Sequence, residues 1–124
     1  MQTESSLVTL VVGASTNPER YAYRAIEKLR AYNHPVLAFG LKEGQVGDVT
    51  ISKQLPSQTV IDTITLYVGP DRQADLIQPL LDLKPRRIIF NPGTENPSFI
   101  KQAEQAGVIA EVACTLVLLS LNEY

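Results

Sequence analysis

The chain has 124 residues, 44% of them apolar and 19% charged, with a formal net charge of −2 at neutral pH. That length suits one compact domain with its own core, so residues 1–124 are expected to form a single unit behind a loose tail at residues 1–6. The weak acidic balance excludes a strongly basic nucleic-acid surface or a membrane footprint, no apolar stretch is long enough to span a bilayer, and the single cysteine, Cys114, excludes an internal disulfide framework.

The opening MQTESS has neither a basic cap nor an apolar run and does not read as a signal peptide. With one cysteine suited to reducing conditions, a cytoplasmic location is expected. Leu7 to Val12 is an apolar run rich in β-branched residues, broken only by Thr9, and predicts a strand buried on both faces. Asn17 is a good helix N-cap and Pro18 suits the first helical position. The helix they open is expected to run to about Tyr32, with Ala22, Ala25, Ile26 and Leu29 on one stripe. Asn33-His34-Pro35 ends it, and Pro35 to Phe39 forms a second strand closed by Gly40.

The segment 42–60 is less regular, with a short strand expected at Val49 to Ile51. Ile61 to Val68 predicts a strand ended by Gly69-Pro70. Asp71 to Leu83 reads as a helix that Pro79 must kink or shorten. Arg86 to Phe90 is a further strand, followed by Asn91-Pro92-Gly93. Asn96-Pro97 repeats the cap-then-proline signal, and the helix it opens stops at Gly107. Val108 to Val112 is a last strand, and Thr115 to Leu121 a last, apolar helix. This alternation argues for an α/β chain: an open, doubly wound, mostly parallel sheet of about five strands with helices on both faces.

In such sheets ligands bind outside the carboxyl ends of the strands, where strand order reverses. Gly13–Arg20, Gly40–Val46, Gly69–Arg72, Asn91–Asn96 and Val112–Thr115 follow strands and line that edge. The first of these is the most informative. A buried strand delivers Gly13 to a helix opening at Asn17-Pro18, where free backbone N–H groups and the helix dipole suit a phosphate. Ser15 and Asn17 can add side-chain hydrogen bonds, and Arg20 and Arg24 can reach an anion with their forked heads. The dinucleotide pattern G-x-G-x-x-G is not met. Only Gly13 matches, with Ser15 and Pro18 in the other glycine slots. Lys42, just past the second strand, favours an extra ribose phosphate over a free hydroxyl, although Glu43 follows it directly.

The stretch VVGASTNPERYAYRA, with Val36 through Lys42, Ile61-Asp62-Thr63, Asn91-Pro92-Gly93-Thr94-Glu95-Asn96 and Cys114-Thr115, resembles the small, stand-alone coenzyme A-binding protein family. It is also similar to the coenzyme A-binding domain of the succinyl-CoA synthetase α subunit. The resemblance spans about Leu7 to Leu121. It implies a Rossmann-like domain with coenzyme A or an acyl-CoA stretched across the strand tips. It places Gly13, Ala14, Ser15, Asn17 and Pro18 near the phosphates, with Arg20, Tyr23 and Arg24 supporting. Lys42 would lie near the 3′-phosphate, and Val68 and Pro70 would pack on the nucleotide. The chain departs from the family pattern at Leu41, where proline is frequent, at Gly69, where arginine is common, and at Val112-Ala113.

No catalytic set is expected. His34, the only histidine, precedes the second strand and is expected at the surface of the far edge. Cys114 reads either as a thiol near the pantetheine end of the ligand or, preferably, as a small buried hydrophobe. Glu95 and Glu111 have no acid–base partner, and no residue set has metal-ligand spacing. The expected partner is therefore a small nucleotide ligand, with neither nucleic acid nor membrane. Val117, Leu118, Leu119 and Leu121 serve either internal packing or a homodimer, and a separate partner enzyme is the other association considered. Two alternatives remain at this point: an enzyme or sensor for another phosphorylated nucleotide such as NADP, or a ligand-free interaction module.

Overall fold

The computed structural model describes residues 7–124; the expected loose tail at residues 1–6 lies outside them. Seven strands form one sheet in the order β3-β4-β2-β1-β5-β6-β7. They are β1 (Val8–Val12), β2 (Val36–Phe39), β3 (Gly44–Val46), β4 (Val49–Ser52), β5 (Ile61–Leu66), β6 (Arg87–Phe90) and β7 (Ile109–Val112). All neighbours pair in parallel except β3 with β4, which form an antiparallel hairpin. The count exceeds the expected total of about five; β4 answers the short strand expected at Val49 to Ile51, and β3, which the sequence did not announce, completes the hairpin. Gly47, with φ +59°, takes the first of its two turn residues, a position that needs left-handed backbone.

Four helices cover the sheet: α1 (Tyr21–Ala31), α2 (Ile77–Asp82), α3 (Pro97–Gln105) and α4 (Thr115–Ser120). The apolar run of β1 explains its central place. Leu10 and Val12 join a core with Leu80 of α2 and Phe99 and Ala103 of α3. Val11, pointing the other way, joins Ala22, Ile26 and Leu29 of α1 and Leu119 of α4. A strand with both faces packed is apolar at nearly every position, as β1 is, with the buried Thr9 as its one polar residue. Phe90 and Phe99 meet edge to face, with centroids 5.1 Å apart.

Two helix starts depart from expectation. The helix after β1 begins at Tyr21, and Asn17 does not cap it. Asn17 Oδ1 accepts from the Glu19 N–H at 3.0 Å, and the Asn17 carbonyl accepts from the Arg20 N–H at 3.0 Å, which closes a turn instead of a helical ring. Arg20 then takes extended backbone before α1 opens. The helix expected over residues 71–83 splits into a 3₁₀ turn at Pro70–Arg72 and the short α2, in which Pro79 falls in the first turn, where its missing N–H has no intrahelical use. By contrast, Asn96 caps α3 as expected: its Oδ1 accepts from the N–H groups of Ser98 and Phe99. Among the described residues no helix is long and apolar enough to cross a membrane.

Candidate functional site

Strand order reverses at β1, which lies between β2 and β5. The loops leaving β1 and β5 therefore diverge at the strand tips and leave a crevice. Gly13 shapes its floor. Its φ is +93°, and a Cβ there would stand 3.0 Å from the Tyr67 carbonyl carbon and oxygen and from Val68 Cγ2. Gly40 lets the second tip cross beneath the first, since a Cβ at that position would meet the Ala14 carbonyl oxygen at 2.5 Å. Gly44 likewise makes room for Thr16, so the β3–β4 hairpin backs the loop.

The backbone N–H groups of this loop divide into two sets. Those of Gly13 and Ala14 both donate to the Phe39 carbonyl at 2.9 Å, which ties the loop to β2 and removes them as donors for a ligand. The free amides were expected at a helix opening at Asn17-Pro18, but the helix opens at Tyr21. The Asn17 N–H donates to Ser15 Oγ at 3.0 Å, so the Ser15 and Asn17 side chains first hold the loop itself. The N–H groups of Ser15, Thr16, Tyr21 and Ala22 take no partner among the described residues. They sit on both sides of the Asn17–Arg20 turn, and the second pair is the uncapped start of an 11-residue helix. Unmet donors at a helix start carry the positive end of its dipole.

Charge follows the same geometry. Arg20 and Arg24 are exposed and belong to no ion pair among the described residues. The Arg24 guanidinium lies 5.4 Å from the centroid of the Tyr21 ring, which is 64% exposed. Lys42 is exposed beyond the tip of β2, beside Leu41. Pro18 is exposed within the turn, Val68 is half-buried beyond the end of β5, and Pro70 is exposed at the start of the 3₁₀ turn. Tyr23 is half-buried and packs on the α1-side core, away from the solvent-exposed arginines. The structure thus brings Gly13 through Arg24 together around one turn and sets Lys42 on the neighbouring tip.

The other half of the edge is closed by a buried network that the sequence did not announce. Asn91 Nδ2 donates to Thr65 Oγ1 and the Leu66 carbonyl, while its Oδ1 accepts from the Thr115 N–H at 2.8 Å. Gln73, fully buried, donates to the Val68 and Thr94 carbonyls, and its Oε1 accepts from Asn96 Nδ2. These bonds lock the loops after β5, β6 and β7 to one another. Asn91 stood in a recognisable turn, but Gln73 lay within an expected helix, and nothing marked it as buried. Glu95 turns back on its own loop, accepting from the Gly93 N–H at 2.9 Å.

Cys114 is a half-buried free thiol at the start of α4. Nearby, burial pushes the Tyr67 phenol up to about 12, so it stays protonated; it lies beside the Thr65 and Thr115 hydroxyls, with no hydrogen bond of normal geometry among the described residues. Glu111, for which the sequence suggested no acid–base partner, forms an ion pair with Arg87 at 3.3 Å. His34 lies on the opposite edge as expected, yet it is half-buried rather than open to solvent, because the Tyr124 ring packs on it at 4.9 Å. Among the described residues no three His, Cys, Asp or Glu side chains gather closely enough to hold a metal ion.

A family model described as a CoA binding domain matches residues 8–120. No curated protein matches the chain. Among solved structures, an uncharacterized protein is 38% identical, with 97% of this chain and 99% of that one covered and a TM-score of 0.92. A hypothetical protein from Pyrococcus horikoshii is 25% identical over 88% of this chain and 78% of its own, with a TM-score of 0.79. The dinucleotide-forming acetyl-coenzyme A synthetase 1 of Ca. Korarchaeum cryptofilum, in complex with phosphate and ADP, shares the fold at 14% identity and a TM-score of 0.72, over 86% of this chain and 25% of that one.

Proposed function

The chain belongs to the CoA-binding domain family, and from that premise we propose that it binds coenzyme A or an acyl-CoA across the tips of β2, β1 and β5 with no chemistry of its own. One observation carries the reading: four N–H groups with no partner among the described residues, at Ser15, Thr16, Tyr21 and Ala22, flank one turn beside two arginines that form no ion pair among those residues. In this reading those amides receive the pyrophosphate. Gly13 and Ala14 form the floor, Asn17 and Pro18 hold the turn, and Arg20 and Arg24 close on the phosphate oxygens. Tyr23 braces the helix that carries Arg24. Lys42 meets the 3′-phosphate, and Val68 and Pro70 pack against the nucleotide.

The absence of a catalytic role rests on placement. The one histidine is at the opposite edge, and the Glu95 carboxylate is engaged by its own loop. Cytoplasmic residence and a homodimer or separate partner enzyme complete the proposal.

Titration calorimetry tests it with three ligands. Coenzyme A should bind, dephospho-coenzyme A more weakly through loss of the Lys42 contact, and NADP not at all. Binding of NADP with no heat from coenzyme A would replace this reading with the nucleotide-enzyme one. A ligand of the folded state also raises its stability, by about 2.7 kcal/mol at a hundredfold excess over Kd.

A further inference from the structure

At the edge of the sheet opposite the crevice, a row of polar side chains lies buried on the α4 side. Thr9, Thr63 and Arg87 are in register across β1, β5 and β6, and each is at most 8% exposed. Such a row on a core face needs a polar cover. Tyr124 supplies it. After α4, Asn122 takes left-handed backbone, φ +58°; its N–H donates to the Leu119 carbonyl, and the Glu123 N–H donates to the Leu118 carbonyl at 2.8 Å. That double closure is a Schellman turn, and it swings the chain back onto the sheet. The Tyr124 hydroxyl then bonds Thr9 Oγ1, and its ring lies 4.7 Å from the Arg87 guanidinium carbon. The His34 ring meets it edge to face at 4.9 Å, beside a cavity of about 120 Å³ lined by Tyr32, His34, Leu119, Asn122 and Tyr124.

We infer that Tyr124 is a proton-released plug: it seals the Thr9–Thr63–Arg87 row while His34 is neutral and lets go when His34 gains a charge. The imidazole is half-buried beneath a ring that already rests against one cation. Burial first, and then Arg87, hold its pKa below the ordinary value. Of the other charges around the plug, only the exposed Glu123, next to Tyr124 in the chain, has no ion pair among the described residues. Arg87 pairs with Glu111, Asp62 with Arg86, and Arg30, which donates to the His34 carbonyl, with Asp48. The docked state therefore disfavours the proton. Docking is complete above the ordinary histidine pKa of about 6.5 and weakens as pH falls below it, tenfold for each unit by which docking lowers the pKa.

The sole histidine gives one NMR titration to follow. Its pKa should lie below about 6.5 in the natural chain and rise toward that value in Tyr124→Ala. The hydrogen-exchange protection factor of the Glu123 N–H should fall between about pH 8 and about pH 5. An unchanged His34 pKa in Tyr124→Ala, or level Glu123 protection in the natural chain, overturns the inference. Should Tyr124→Ala fail to fold, His34→Asn serves: with no charge to gain, it should hold Glu123 protection level with pH. Persistence of the pH dependence in that variant would equally overturn it.

Discussion

Asn17-Pro18 and Asn96-Pro97 are the same dipeptide after a strand of the same sheet, and they do opposite things. At the second corner the Asn96 side chain satisfies the N–H groups of Ser98 and Phe99 and is itself held by Gln73, so α3 opens with nothing to offer a ligand. At the first, Asn17 spends its oxygens on a turn, and α1 opens four residues later with Tyr21 and Ala22 unmet. The difference shows that a cap signal and an anion site compete for the same amides. A well-capped helix start has already used the donors that a phosphate would need.

The largest way to test this contrast is through the glycines that precede each turn. Gly13 and Gly93 both have positive φ, +93° and +92°, but a Cβ at 13 meets backbone and one at 93 meets nothing within 4 Å. Gly13→Ala should cost the left-handed strain of about 1–2 kcal/mol plus a similar overpacking term, whereas Gly93→Ala should cost the strain alone. Urea unfolding of the two variants measures the gap; equal losses would mean that Tyr67 and Val68 yield freely.

Removing the charges at the open corner comes next. Arg20→Ala and Arg24→Ala should each weaken coenzyme A binding by about 1.5–3 kcal/mol with little change in stability, and the effect should shrink at high salt. The asparagines should then separate the corners by kind of effect. Asn96→Ala should lower stability by about 1 kcal/mol and leave binding alone, while Asn17→Ala should lower affinity more than stability. Calorimetry beside thermal melts reads both, and a reversed pattern would exchange the roles of the two corners.

The smallest effect lies far from either corner. Arg86 donates to both carboxyl oxygens of Asp62, which holds that carboxyl below the usual range. A depressed folded pKa gives stability that is present above the ordinary value and lost as pH falls through the depressed one. Asp62→Asn should therefore flatten the acid limb of the stability curve below about pH 4 without changing coenzyme A affinity.

Much of this was legible in the residues. The apolar run of β1, broken only by Thr9, announced a strand packed on both faces, Asn96-Pro97 announced α3, and Asn33 and Gly107 announced helix ends with left-handed backbone. What stayed hidden depended on partners distant in sequence. Nothing in Gly13-Ala14 reveals that both N–H groups turn to the Phe39 carbonyl. The strand expected to reach Val68 ends at Leu66, although the Tyr67 N–H still donates to the Val12 carbonyl and its ring packs on the α1-side core. Gln73 looked like an exposed helical residue and is instead the buried tie between three loops. The crevice at the strand tips was readable from the alternation of strands and helices, but which of its amides stay unmet was not.

The most direct measurement is an amide-resolved NMR titration with coenzyme A. The account predicts that the Ser15, Thr16, Tyr21 and Ala22 resonances move together and saturably while those of Ser98 and Phe99 stay still. Movement centred on Ser98 and Phe99, or no movement anywhere at millimolar ligand, would contradict it.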